Sequence, residues 1–528
     1  MFSGLRNFTR RGLFRQGGLL AAAQIIGTRT QTASAAGLDI GPDLYRSIGV
    51  RPIINARGTF TIITGSQTLP EVKRAMDEAS RGYVQMDELM EGVGKRLAEL
   101  TGAEWGIVTA GCCAAITHCT AAAIAGFNPE RMQRLPDLRG LKNEVVIPKY
   151  SRNVYDHAIR MIGAKVVTVS DPKDLESAFN DRTAMAYILG GPGDDGPLGT
   201  RVVATVAKRH NVPTLVDAAA EILTLKPNVH LERGATAVAY SGGKCIRGPQ
   251  AAGLLLGEKN WLQSAWANSA PHHAYGRSLK VGKEEIMGTL AAVEMWTKRD
   301  HQAEWRQWEA WLGDIAAEVR KIDGVTAEIK QPSADLSNRT PRLVIQWDGS
   351  KRGITGTEVH KLLGKTEPRI ILASGSGSRP NEMASSVSVV PYMLVPGEEK
   401  IIGDRLHAVL SNPPKFENLV QPTGAPAAVS GPWTAHLEFG RGSAVNGFHL
   451  EQDGDKLKGE YSTEFFGAFP LTGSIAANTV HFRISYPIEG QHLNWMFTGT
   501  VNGDRISGTV NMGEYGETTW TAEKRRPA

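Results

Sequence analysis

Cysteine is scarce in this chain: four in 528 residues, at positions 112, 113, 119 and 245. Cys112 and Cys113 are neighbours and bridge poorly, so no disulfide framework is expected. The spacing also lacks the paired Cys/His pattern of a zinc site, and no metal is expected. Charge of one sign is missing as well. The net charge of +5 comes from the first 35 residues, which hold Arg6, Arg10, Arg11, Arg15, Arg29 and no acid. Beyond them, basic and acidic residues balance at 54 each. A neutral body has no cationic face for nucleic acid, so a tRNA or DNA partner is not expected. Long apolar runs are absent too: none approaches the roughly 20 residues that cross a bilayer. With 41% hydrophobic and 21% charged residues, the chain reads as globular, and its length implies about two to four domains.

The arginine-rich start has an order of its own. Thr9-Arg10-Arg11-Gly12-Leu13-Phe14-Arg15 is followed by a short, mildly apolar stretch at 17–26 and by the small residues Ala33-Ser34-Ala35. It resembles a twin-arginine export signal over residues 1–35, with Leu13-Phe14 reversed from the commoner order and Arg29 interrupting the apolar part. The resemblance implies a periplasmic or secreted protein, exported already folded.

Past the leader, helical spacing over 69–100 carries a break at glycine, and short apolar strands then alternate with amphipathic helices. Strands are expected at 106–109, 145–147, 165–169, 184–189, 214–217, 237–240 and 253–256, and helices at 113–125, 153–162, 172–179 and 200–210. Alternation of this kind predicts an α/β domain over 36–300 with a mostly parallel sheet covered on both faces. One long polar helix is expected from 284 to about 319, and a smaller α+β domain over 301–411. A Pro/Ala-rich linker follows at 412–432. The alternating residues of 433–528, with turns such as Asp453-Gly454-Asp455 and Asn502-Gly503-Asp504, predict an antiparallel β-barrel. Its aromatic residues are expected to form its core.

The chemistry-bearing residues fall where parallel strands end, which is where ligands gather in such sheets. The strand at 237–240 runs into Ser241-Gly-Gly-Lys244, and the strand at 214–217 ends in Asp217. A lysine on a glycine turn can form a Schiff base, and an aspartate can hold a pyridinium nitrogen; together they are how proteins bind pyridoxal 5′-phosphate. Lys244 and Asp217 are therefore the catalytic candidates. Thr109-Ala110-Gly111-Cys112-Cys113 supplies a strand, a glycine and a helix start, so Gly111, Cys112 and Cys113, with Ser241, are candidate phosphate anchors. Tyr150, Tyr155 and His157 are the candidates to stack on the cofactor ring. Asn55, Arg57, Arg247, His272 and Arg277 are candidates for an acidic substrate, with Lys280 and Lys283 near Arg277. No cofactor or pocket motif extends past the linker, so the barrel is expected to be dispensable for turnover.

Met86-Asp-Glu-Leu89, Val216-Asp-Ala-Ala-Ala-Glu221, Ser241-Gly-Gly-Lys-Cys-Ile-Arg-Gly-Pro-Gln250 and Gly276-Arg-Ser-Leu-Lys-Val-Gly-Lys-Glu-Glu285 together resemble the selenocysteine-synthase-like group of fold-type I pyridoxal-phosphate enzymes, within it the glucosaminate-phosphate ammonia-lyase branch. The resemblance covers about residues 43–410. It implies a homodimer or higher homo-oligomer, and a lyase releasing ammonia from a small amino acid or amino-sugar acid. The alternatives it leaves are a transferase, whether an aminotransferase or a selenium transferase, or an inactive binding scaffold.

Overall fold

The computed structural model describes residues 38–379, 381–416 and 422–525. The export-signal expectation falls outside the described residues, as does the middle of the linker. The chain divides into a unit ending at Ile54 and a unit beginning at Asn55. In the first, the described part folds into a single 3-10 turn, Arg46–Ile48, closed by Gly49. The second holds the sheets, the long helices and the candidate site.

Helix α1 (Pro70–Ser80) begins on a proline, which lacks the N–H that a first helical position leaves unbonded anyway. Helix α2 (Met86–Thr101) starts where the Gln85 side chain accepts from Glu88 N and stops at left-handed Gly102. A seven-stranded sheet follows. Its strands are β1 (Trp105–Thr109), β2 (Glu144–Pro148), β3 (Lys165–Val169), β4 (Thr183–Leu189), β5 (Thr214–Asp217), β6 (Ala237–Ser241) and β7 (Gly253–Gly257). They lie in the order β1-β7-β6-β5-β4-β2-β3. All neighbours are parallel except β7, which runs antiparallel to both β1 and β6. Strands β1, β2 and β7 are buried at every position, as continuous apolar runs between two helical layers must be. The reversed β7 leaves β1 and β6 pointing the same way. Thr109 and Ser241 both pair with Gly253, and Asp217 pairs with Ala239 beside them, so the three polar residues share one sheet edge.

Local capping overrides apolar periodicity in three places. The expected helix at 153–162 is a 3-10 turn (Val154–Asp156) and one short helix (His157–Arg160), because the Asn153 side chain accepts from Tyr155 N and starts a turn. The expected helix at 172–179 is only a 3-10 turn, Pro172–Asp174, under Asp171. The long helix expected from 284 divides into α3 (Lys283–Lys298) and α4 (His301–Val319), since the Asp300 carboxylate accepts from Gln302 N and Ala303 N and begins a new helix.

The α+β region packs a four-stranded antiparallel sheet of β8 (Thr326–Lys330), β9 (Arg342–Asp348), β10 (Ser374–Ser378) and β11 (Glu382–Val389) against helices. Beyond the linker, eight antiparallel strands close into a barrel: β12 (Gly431–Glu438), β13 (Ser443–Asp453), β14 (Lys456–Thr463), β15 (Gly467–Ala476), β16 (Thr479–Ile488), β17 (Gln491–Asn502), β18 (Arg505–Asn511) and β19 (Glu517–Lys524). Closure pairs β12 with β19 and removes the sheet edge. Trp433, Phe448, Phe482, Phe497 and Trp520 fill the interior, Phe482 stacked on Phe497 at 5.0 Å. The chain enters β12 and leaves β19 at one end of the barrel. The β16–β17 turn, Glu489-Gly490, lies at the other.

Candidate active site

Asp217 ends β5 at 2% exposure. Its Oδ1 accepts from Ala219 N at 3.0 Å and from Cys112 Sγ at 3.4 Å, and its Oδ2 accepts from Tyr187 OH at 2.8 Å. All three donors are neutral. Burial first, then the Asp217 charge, hold the Tyr187 phenol well above its ordinary range, so it stays a donor. Cys112 is raised for the same reasons, with the Lys244 ammonium opposing; Cys113 rises too, through burial and Asp217. Lys244, Asp217 and the two thiols are thus one electrostatic group.

Gly111 is the N-cap of a buried helix between β1 and β2 (Cys112–Ala125), and no side chain caps that end. Its backbone has φ +85 and ψ 166, a region that is essentially glycine-only, and the space where a Cβ would lie is open. No side chain therefore occupies the first-turn amides. Ser241 finishes β6 level with Thr109 across β7, both pairing with Gly253, and Lys244 follows it on the turn.

Lys244 opens into a cleft of ≈ 550 Å³ shared with Arg57, Lys330, Arg339, Arg342 and Tyr392. Lys244 itself has no ion pair with another described residue. The α+β region forms the facing wall: Ile222 N donates to Leu336 O at 2.9 Å and Asn338 N to Ala220 O at 2.8 Å. Arg57 lies over the Phe60 ring at 4.4 Å, and its Nε is buried without a hydrogen-bond partner. Behind the wall, His230 Nε2 meets Glu221 Oε2 at 2.6 Å and its Nδ1 meets Asp194 Oδ2 at 3.3 Å; Arg233 pairs with the same Asp194 oxygen. Burial lowers the His230 imidazolium, but hydrogen bonds and charges from Asp194 and Glu221 outweigh it and leave the group raised to about 9.

Several expected residues stand elsewhere. Asn55 does not line the cleft: its side chain bonds Arg57 N, Gly58 N and Gly58 O, shaping the turn that presents Arg57. Arg247, at φ +53, donates to Gln67 O and lines a separate cleft with Arg299, Glu304 and Trp308. His272 bridges Asp87 at 3.1 Å and the Trp266 carbonyl, tying the start of α2 to its own loop. Arg277 is solvent-exposed, and Lys283 pairs with Glu284. Among the ring candidates, Tyr150 donates to Leu198 O, and His157 is exposed at a helix start. Tyr155 is the one whose phenol feels Cys113, Asp217 and Cys112, after burial, as causes of its rise. Tyr187, Lys330, Arg339 and Arg342 had no signal in their own segments: the tyrosine reads as strand core, the cations as loop surface.

A lysine on the turn after β6, a buried aspartate at the end of β5, an uncapped helix start beside both and an α+β region across the cleft define a fold-type I pyridoxal-phosphate-dependent enzyme. A search of family models finds no match. The D-glucosaminate-6-phosphate ammonia lyase of Salmonella typhimurium is 30% identical over 380 residues, 70% of this chain and 98% of that protein. The chain belongs to that family. A solved D-glucosaminate-6-phosphate ammonia-lyase structure superposes with a TM-score of 0.62 at 28% identity, covering 70% of this chain and 99% of that one. A 5′-C-glycyluridine monooxygenase-decarboxylase of Streptomyces sp is 28% identical over 69% of this chain and 92% of its own length. An L-seryl-tRNA(Sec) selenium transferase of Proteus mirabilis is 25% identical over 48% of this chain and 57% of its own.

The residues present fit the family's cofactor. A buried carboxylate with only neutral donors suits a protonated ring nitrogen, and uncapped amides at Gly111 suit a phosphate.

Proposed function

We propose that this chain is a pyridoxal-phosphate-dependent ammonia lyase whose substrate is a small amino acid or amino-sugar acid carrying a second anionic group. The carrying observation is the Lys244 cleft, where one unpaired amine stands among Arg57, Lys330, Arg339 and Arg342. When bound, the cofactor supplies an electron sink for charge developing at the substrate's α-carbon.

The chain's own residues supply the rest. Lys244 Nζ would attach the cofactor and would be the base placed to take the substrate's α-proton. Asp217, held by Tyr187 and Ala219 N, would keep the ring nitrogen protonated. The amides of Gly111, Cys112 and Cys113, with the Ser241 hydroxyl, would hold the phosphate. Tyr155 would cover the ring. Arg57, with its unpaired buried Nε, would take the substrate carboxylate, and the three cations of the facing wall the second anion. Loss of a β-hydroxyl as water, then hydrolysis, releases ammonia and a keto acid.

A panel of amino acids and amino-sugar acids, with and without a second anionic group, tests this. Ammonia and keto acid are expected from the doubly anionic substrates first. Racemisation or amino transfer without ammonia would overturn the lyase reading. The leader motif supports export of the folded protein to the periplasm, which cell fractionation tests. Self-association as a homodimer is tested by sedimentation.

A further inference from the structure

We propose that the barrel turn Glu489-Gly490 is a clamp on the cofactor site, with Glu489 and Gly490 acting as positioning residues for the segment 151–156 that braces Tyr187 and Asp217. Glu489 Oε2 meets Arg152 Nη2 at 2.7 Å and Arg160 Nε at 4.0 Å. Both arginines also grip Asp156, whose side chain is fully buried, at 2.5 and 3.1 Å. Two guanidiniums thus share two carboxylates, one from the barrel. Removing Glu489 leaves both arginines on a single acid.

Gly490 makes the closer contact. A Cβ there would fall 1.9 Å from Asn153 O and 2.7 Å from Asn153 N, so backbone lies directly on backbone. The turn's own chemistry does not ask for this glycine. Two-residue hairpins place glycine where φ is positive. Here the positive φ, +49, belongs to Glu489, while Gly490 lies outside the left-handed region. The order Glu-Gly is set by the contact and works against the turn.

From that contact the path to the site is short. Asn153 Nδ2 donates to Tyr187 OH at 3.3 Å, and Tyr187 OH donates to Asp217 at 2.8 Å. Asn153 Oδ1 accepts from Tyr155 N at 2.7 Å, and Ser151 Oγ accepts from Leu189 N at 3.1 Å. The Tyr155 phenol also feels Glu514, which lies at the same end of the barrel. The match with the Salmonella relative takes up 98% of that protein and only 70% of this chain, so the relative has little length left for such a domain. The clamp is an addition to the shared core.

This inference rests on the cofactor reading for its consequence, and the test separates the two. Full-length Glu489→Gln and Gly490→Ala proteins are compared with wild type and with Glu464→Gln, an exposed acid on the neighbouring β14–β15 turn. Amide hydrogen exchange over 151–156 is measured without cofactor. Affinity for pyridoxal phosphate and the circular dichroism of its bound absorption band are then measured with it. Both clamp variants are expected to exchange faster at 151–156 and to bind cofactor roughly 2- to 30-fold more weakly, the range for sites coupled through a packed network. Their dichroic band should change because the ring is held differently, Glu489→Asp should recover part of each effect, and Glu464→Gln should match wild type. Unchanged exchange and an unchanged band in Glu489→Gln overturn the clamp, even where Gly490→Ala fails to fold. Wild type that binds no cofactor overturns the proposed function instead, and exchange alone then decides the clamp.

Discussion

Asp217 keeps its place through three neutral donors, so each donor's removal has a separate cost. Tyr187→Phe takes away a hydrogen bond to a carboxylate, worth about 1.5–3 kcal/mol. Cofactor affinity or kcat/KM should fall roughly 10- to 100-fold. Equal values for the two proteins would show that Tyr187 merely fills space. Lys244→Ala should fold normally, since the lysine pairs with no acid, and should lose both turnover and the visible absorbance of lysine-bound cofactor. Asp217→Asn should retain some cofactor and lose most activity; comparable rates would rule out its role at the ring nitrogen. The placement of Asp217 at the end of β5 and of Lys244 on the turn after β6 was legible because both strands are buried apolar runs with sharp ends. Arg247, His272 and Arg277 do not line the Lys244 cleft, a placement the sequence could not give because spacing along a loop carries no direction. The left-handed backbone at Arg247 turns its side chain to Gln67, and that turn is invisible in the sequence.

Among elements, strands were read to within a residue or so and helices less well. Strand β5 runs from Thr214 to Asp217 as expected because a buried parallel strand is an apolar run with hard ends. Helix ends are decided by single side chains. Asp300 and Asn153 each satisfy backbone amides locally, and apolar spacing gives no warning of it. The helix Cys112–Ala125 offers a direct test at its start. Gly111→Ala meets no steric obstacle but forces a non-glycine residue to φ +85, at a cost of about 1–3 kcal/mol. Urea unfolding should show that loss. Phosphate-bearing cofactor should bind more weakly than wild type, while pyridoxal lacking phosphate should be affected less. An equal effect on both would remove the phosphate from this helix end.

At the scale of the whole molecule, the buried Asp194–His230–Glu221 cluster makes stability depend on pH. His230 has a folded pKa raised to about 9, against about 6.5 unfolded. Its contribution is complete below about 6.5 and is lost as pH rises through 9, at most about 3 kcal/mol. Urea midpoints should therefore fall between pH 6.5 and 9.5, and His230→Gln should flatten that fall; an identical slope in the variant would remove the cluster as its source. The barrel was legible as a barrel, from alternation and its Asn-Gly and Asp-Gly turns. Its contact with Arg152 and Asn153 was not, since no local pattern joins positions more than 300 residues apart. The barrel's polarity also turns the linker into a ruler. The chain enters at one end and the docking turn lies at the other, so the connection must reach the far side of strands 8 to 12 residues long. Such strands rise about 3.3 Å per residue, which sets a span on the order of 30 Å. The connection between Ser411 and Gly431 has length to spare for that span; one cut to fewer than about nine residues, at roughly 3.3–3.6 Å each, would hold the barrel back from its seat while leaving every contact residue intact. Chain length alone would then decide whether the two domains engage.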